Sequence, residues 1–233
     1  MLQWLRDIIT PSPPPPPFVQ DYLRVLQQQP LPGSLPLAEI PFVVFDTETT
    51  GLDPQKDRLL SIGAVKVQHW EIDISRQLEL YVGQEAPSPA SEQAIAVHGI
   101  LPGEQSGQIS EEEALRQFLA YAGPSVLVAH HLGFDQAMIN QLLRQHGGGS
   151  LRNKGVDTAV LARRLSTQPE LAQRGDFGLD ALCRQYNITM SDRHTAAGDA
   201  YITGILLMKL LYRLQKRGVH TLGQLLKSPK RGL

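Results

Sequence analysis

A single cysteine, Cys183, is all the thiol this chain has. That excludes an intrachain disulfide framework and a zinc site built from several thiolates, and it suits a reducing compartment. No apolar run approaches the ~20 residues needed to cross a bilayer, and Met1 to Thr10 holds too short an apolar stretch for a signal peptide. A soluble, cytoplasmic protein with no membrane partner is expected. An excess of one charge is also missing: 22 lysines and arginines stand against 23 acids, for a formal net charge of −1. A global basic field is thereby excluded, and any handling of nucleic acid must be local. With 42% hydrophobic and 19% charged residues among 233, the chain can bury one substantial core and a small appendage, but not two full domains.

Proline is plentiful at one end. Pro11 and Pro13 through Pro17 form a polyproline tract, and Pro30, Pro32 and Pro36 follow, so residues 1–39 read as a proline-rich arm rather than a packed core element. Two short amphipathic pieces flank the tract, one with Trp4, Leu5, Ile8 and Ile9, the other with Phe18, Tyr22, Val25 and Leu26, both at helical spacing. Two readings stand side by side: helices that dock on the domain's own surface, or an arm over residues 1–40 that lays a helix into a groove of a polymerase or other protein partner.

The folded pattern occupies residues 40–217, with a tail over 218–233. Pro41 to Phe45 is a continuous apolar run of the kind found in buried central strands. Leu59 to Val67 and Arg76 to Val82 read as two further strands of an antiparallel meander. Ser110 to Glu113 is a capping box that opens a helix carrying Ala114, Leu115, Phe118 and Leu119. Val126 to Ala129 is a fourth strand. A helix from Phe134 to His146 stops at Gly147-Gly148-Gly149, and a short segment from Val156 leads into a helix ending at Leu165. Helices over Leu179 to Tyr186 and Ala196 to Lys216 complete the order, the last ended by Gly218. Three strands followed by alternating helices and strands predict an α/β fold, a mixed sheet of a meander plus parallel strands flanked by helices.

Asp46-Thr47-Glu48 ends the first strand. Side chains two apart on a strand share a face, so both carboxylates project together. Adjacent negative charges raise each other's pKa unless a cation lies between them, and this placement asks for a metal. Asp46, Glu48, Thr50, Gly51 and Asp57 also fall at positions 1, 3, 5, 6 and 12 of a calcium-loop pattern. Against that reading, a strand precedes the segment where a helix is required, Pro54 interrupts it, and its last position is Asp rather than Glu. Two more acids occupy related settings: Asp135 in the turn after the fourth strand and Asp199 in the first turn of the long helix. Each alone is a common helix-dipole residue. His194, on the loop before that helix, has the chemistry of a general base. Four carboxylates and one histidine suit two-metal phosphodiester hydrolysis, with oxygen ligands for hard divalent ions. His98, His130 and His131 lack zinc-site spacing.

These segments resemble a known family. Phe45 to Gly51 (FDTETTG), Ala129 to Asp135 (AHHLGFD) and Arg193 to Ala200 (RHTAAGDA) are similar to the three motifs of the DnaQ-like, or DEDDh, 3′-to-5′ exonucleases, which include the proofreading subunits of bacterial replicative DNA polymerases. The likeness extends over about residues 40 to 215, taking in Ala96 to Ile100, Val156 to Thr158 and Gly178 to Leu182. It implies an RNase H-like sheet, and two Mg²⁺ ions with Mn²⁺ as a substitute. Asp46, Glu48 and Asp199 would hold the first metal, with Asp46 bridging to the second, Asp135 would hold the second, and His194 would be the base. It also implies a pocket for the terminal nucleotide lined by Thr49, Thr50, Gly51, Leu52, His98 and Phe134. The implied activity is release of nucleoside 5′-monophosphates from a nucleic acid 3′ end, single-stranded DNA favoured over RNA. An exoribonuclease of the RNase T or oligoribonuclease type is the alternative, and a catalytically inactive binding or scaffold module the alternative of another class. The second motif ordinarily has asparagine where this chain has His131, a departure that bears on contacts to the sugar and so on DNA against RNA. The family's proofreading subunits carry a polymerase-binding extension, whereas only a short stretch follows Gln215, so a free-standing nuclease stands beside a proofreader. Gln224-Leu225-Leu226 has a faint likeness to a sliding-clamp peptide and reads better as an amphipathic turn.

Overall fold

The computed structural model describes residues 14–83, 92–100, 107–166 and 176–227. The amphipathic piece with Trp4, Leu5, Ile8 and Ile9, and tail residues 228–233, lie outside the described residues. Strands β1 (Phe42–Thr49), β2 (Leu59–Gln68) and β3 (Glu71–Tyr81) form the antiparallel meander, while β4 (Val126–Ala129) and β5 (Gly155–Asp157) add on in parallel. The sheet order is β3-β2-β1-β4-β5, which makes β1 the central strand. This is the mixed α/β sheet expected from the sequence.

β3 starts well before Arg76. His69 and Trp70 close the β2–β3 hairpin with φ of 53° and 64°, the doubly positive pair that matches the twist of a two-residue turn. Neither residue is a glycine or asparagine, so the usual turn signal is absent. The first half of β3 is a solvent-facing edge, with Ile74 63% exposed, and shows no apolar run to reveal it.

The continuous apolar run of β1 exists because both faces of the sheet are covered. Phe42 and Val44 point to one face, where they pack with Val65, Val126 and Val128 under helices α5 (Thr158–Leu165), α6 (Leu179–Gln185) and α7 (Ala196–Gln215). Val43 and Phe45 point to the other, under α3 (Glu111–Ala122) and α4 (Leu132–Gln145). The Phe45 and Phe118 rings meet there at 5.1 Å. Ser110 caps α3 by accepting from the Glu113 N–H. His98, the last residue of helix α2 (Glu92–His98), bonds the Thr49 carbonyl at the end of β1.

Helix α1 (Pro17–Gln28) buries Val19 and Tyr22 in the α3/α4 side of the core. The Tyr22 hydroxyl donates to Asn153 Oδ1 and accepts from the Arg152 N–H, both at 2.7 Å. This helix therefore docks on its own domain. So does α8 (Leu222–Leu226), whose Leu222 and Leu225 are buried beside α7. Arg164 donates to the carbonyls of Gln224 and Leu225, which makes Gln224-Leu225-Leu226 a packed amphipathic turn. Among the described residues, no helix is long and apolar enough to cross a membrane.

Candidate active site

Strand alternation continues past Phe45 and sorts the candidate side chains. Asp46 and Glu48 follow Phe42 and Val44 onto the α7 face, and Thr47 follows Phe45 onto the α4 face. Asp199, in the first turn of α7, meets the first two: one carboxylate oxygen from each of Asp46, Glu48 and Asp199 lies within 4.8 Å of the others. Asp135, in the first turn of α4, arrives from the opposite face and accepts a 2.7 Å hydrogen bond from Thr47 Oγ1. The sheet edge thus gathers four acids from three elements. Asp57 is not among them; its carboxylate accepts from the Thr50 hydroxyl and the Asp53 N–H, so it closes its own loop and forms no calcium loop with Asp46.

Crowding acids away from water raises their pKa values. Asp46 is pushed well up by burial first, then by the charges of Asp135, Asp199 and Glu48. Burial lifts Glu48 from the ordinary 4.5 to about 7, with Asp199 and Asp135 adding to it. Burial also raises Asp135, against the Thr47 hydrogen bond, and Asp199, where the Arg193 charge opposes it. Asp199 Oδ1 is buried with no hydrogen-bond partner. An orphaned carboxylate oxygen facing an all-oxygen cluster fits a hard divalent cation, whose charge would return these acids to their ionised forms.

His194 stands on the loop before α7, exposed, with φ of 65°. Its backbone N–H donates to Asp199 Oδ2, so the loop is tied to the acid cluster while the ring stays free to face solvent or substrate.

Beside Glu48 lies a cavity of about 670 Å³, lined by Thr49, Gly51, Leu52, Val97, His98 and Phe134 among others. Leu52 is 86% exposed at its rim. His98 takes its proton on Nε2, since Nδ1 accepts from the Ile100 N–H, and Nε2 then donates to the Thr49 carbonyl at 3.2 Å. Thr50 does not line the cavity; it is buried, with its hydroxyl on Asp57 and the Arg58 N–H. His131 sits outside it as the N-terminal residue before α4, exposed, with φ of 63°. That left-handed conformation is one asparagine and histidine both tolerate. Its ring meets the edge of His130 at 4.5 Å. His130 is pushed down to about 4, chiefly by burial, and bonds Thr158 Oγ1 at 2.8 Å.

Two features of the site had no counterpart in the sequence reading. Gly63 pairs with Asp46 across β1 and β2, and a Cβ there would lie 2.1 Å from the Ala196 carbonyl carbon and the Ala197 nitrogen. Its missing side chain lets the start of α7 rest on the sheet and brings Asp199 to Asp46. A glycine inside a strand is the available signal of such close approach. Gly63→Ala is expected to cost ~1–3 kcal/mol by overpacking and to weaken divalent-metal binding, measured by urea unfolding and by Mn²⁺ titration. The second feature is Arg193, which holds Asp180 through Nε at 2.7 Å and Asp199 through Nη1.

A mixed five-stranded sheet with acids gathered at the end of its central strand has the architecture of RNase H-like nucleases. The sequence profile described as exonuclease (RNase T) matches residues 43–207, and the chain belongs to that family, whose members are phosphodiester hydrolases. It is 34% identical over 185 residues to the PolC-type DNA polymerase III of Halalkalibacterium halodurans, covering 79% of this chain and 12% of that protein. The chain therefore spans only a small part of the length of the curated relatives it matches. Among solved structures, E. coli exonuclease I in complex with a dT13 oligonucleotide is similar with TM-score 0.67 and 18% identity, over 77% of this chain and 43% of that one. Exonuclease X in complex with 5′ overhanging duplex DNA gives TM-score 0.57 and 24% identity, over 73% and 91%. These two likenesses are of fold.

Proposed function

We propose that the protein removes nucleotides one at a time from the 3′ end of DNA, releasing nucleoside 5′-monophosphates. The observation that carries this reading is the meeting of Asp46, Glu48 and Asp199 within 4.8 Å, next to a cavity sized for one or two nucleotides. Asp46, Glu48 and Asp199 would hold one divalent ion, with Asp46 reaching a second held by Asp135; Mg²⁺ is the proposed ion. Bound there, such ions supply Lewis-acid stabilisation of the charge that builds on the attacked phosphate.

The chain's own residues do the rest. His194, exposed on its loop, removes a proton from the attacking water. Phe134 offers a ring on which any base can stack, and Leu52 and Val97 supply apolar rim. The loop from Thr49 to Gly51 brings backbone close to the terminal nucleotide. Thr49 Oγ1 donates to the Gly51 carbonyl at 2.6 Å, and His98 pins Thr49 from the other side, so the loop is shaped before substrate arrives. Residues 40–217 form the proposed exonuclease domain, and α1 and α8 dock on it from the proposed arm, 1–39, and tail, 218–233. The PolC-type relatives support DNA as substrate and a polymerase as the setting in which this domain works.

The raised acids set a pH dependence. Between pH 4.5 and about 7, folded Glu48 keeps a proton that the unfolded chain has released. Stability of the metal-free protein is therefore expected to fall as pH rises through that window. Because the cation binds ionised carboxylates, the rise in Tm on adding Mg²⁺ is expected to be larger at pH 8 than at pH 5.5. Thermal melts with EDTA and with Mg²⁺ at both pH values check this; equal shifts would remove the acid cluster from metal binding.

The activity is tested with 5′-labelled single-stranded DNA and RNA of one sequence, incubated with Mg²⁺ or EDTA. A ladder shortening from the 3′ end of the DNA with Mg²⁺ alone is expected. Faster shortening of the RNA would replace DNA by RNA as the substrate, and no ladder on either would end the reading.

A further inference from the structure

We propose that Arg193 is a positioning residue for the metal site: its guanidinium, anchored on Asp180, fixes the Asp199 carboxylate with one oxygen held and the other turned to the cation. The inference rests on the metal-site reading above. Asp199 is a divided carboxylate. Oδ2 accepts from Arg193 Nη1 and from the His194 N–H, whereas Oδ1 is buried and unpartnered. A buried carboxylate oxygen left without a donor is costly, and it persists only where the surroundings hold the group in place. Here the holding group is Arg193, whose side chain is 21% exposed.

The guanidinium reaches Asp199 through one edge and Asp180 through another, at 2.7 Å from Nε. Asp180 belongs to the first turn of α6. The bridge thereby joins α6, the base-bearing loop and the first turn of α7. A lysine, with a single point of charge, could not hold both acids in one fixed geometry. Flanking Arg193, Asp192 and His194 both have positive φ, at 55° and 65°. The loop is wound tightly enough that a Cβ on Gly198 would come within 2.0 Å of the Asp192 carbonyl. Arg193 is thus aimed into the acid cluster from a constrained backbone, while its neighbour His194 is left at the surface.

Charge alone predicts the opposite outcome. An arginine beside a cation site repels the cation, so removing it would tighten metal binding. Asp180, paired with the same guanidinium, offsets part of that field. Orientation of Asp199 is then the larger effect, and residues that orient a ligand carboxylate typically govern 10–100-fold in metal affinity.

The test is Mn²⁺ binding, followed by the paramagnetic signal of the free ion, on wild type, R193Q, D180N and the double variant. R193Q is expected to bind Mn²⁺ about 10–100-fold more weakly, and D180N more weakly by a smaller factor. The double variant, which changes no net charge, is expected to match R193Q because Asp180 acts through Arg193. R193K is expected to recover only part of the loss. Unchanged or tighter binding by R193Q, or wild-type affinity in the double variant, would overturn the proposal. Should R193Q fail to fold, D180N decides alone, since its side chain is 47% exposed and its loss leaves the core intact; unchanged affinity there is equally fatal. Absence of Mn²⁺ binding by wild type would instead end the metal-site reading itself.

Discussion

Asp46→Ala is expected to lower metal-dependent nucleotide release by on the order of 10³-fold or more, the scale of losing one preorganised electrostatic element from a buried site. Asp46 lies at the centre of the acid cluster. It shares a strand face with Glu48, it feels the charges of Asp135, Asp199 and Glu48, and it is the residue proposed to bridge two ions. The fold is expected to survive. Burial and three like charges disfavour the ionised Asp46 carboxylate, so its removal relieves repulsion instead of breaking a stabilising contact. In EDTA at pH 8 the variant's Tm is expected to equal or exceed that of wild type. Adding Mg²⁺ should then raise it less. Undiminished release by a clean preparation, or a collapse of the metal-free Tm, would contradict the role given to this residue.

His194→Ala is expected to slow release by about 10²–10⁴-fold, the range for loss of a general base, with little change in Mn²⁺ affinity. The separation follows from where the parts sit. The ring is exposed on the loop, whereas it is the backbone N–H of His194 that touches Asp199. Alanine keeps that N–H and so keeps the tie between loop and cluster. The left-handed φ of 65° adds a modest strain that histidine tolerates better, which argues for asparagine as a second replacement. His194→Asn should show the same kinetic loss. A variant that loses metal affinity in proportion to its rate would remove the assignment.

Much of this site is legible in a strand and two helix starts. The run Phe42 to Phe45 marks a strand covered on both faces, and period-2 alternation then places Asp46 and Glu48 together. Asp135 and Asp199 are legible as helix starts. The faces from which they approach are not, because strand partners and helix packing decide them. Arg193 shows the same limit: next to His194 in sequence, it is an ordinary surface cation until α6 brings Asp180 to it. Gly63 carried a signal, a glycine within a strand, but its meaning depends on which backbone comes near. The His69-Trp70 turn lacks its usual residues, and helix α1 is amphipathic in a way that suits either an own-surface or a partner groove. Tyr22 and its two hydrogen bonds settle that choice for the described helix. The pocket follows the same pattern. Thr50 sits among cavity residues in sequence but turns its hydroxyl inward to Asp57, since the loop from Thr50 to Arg58 closes on itself.

The acids at the end of β1 are proposed to catalyse metal-dependent removal of the terminal nucleotide. The most direct measurement uses single-stranded DNA labelled at its 3′ terminal nucleotide, sampled at the earliest times with Mg²⁺ and separated by chromatography. The first labelled product is expected to be a nucleoside 5′-monophosphate, absent in EDTA and absent with Asp46→Ala. Labelled fragments several nucleotides long as the first product, or mononucleotide release that persists without metal, would contradict it.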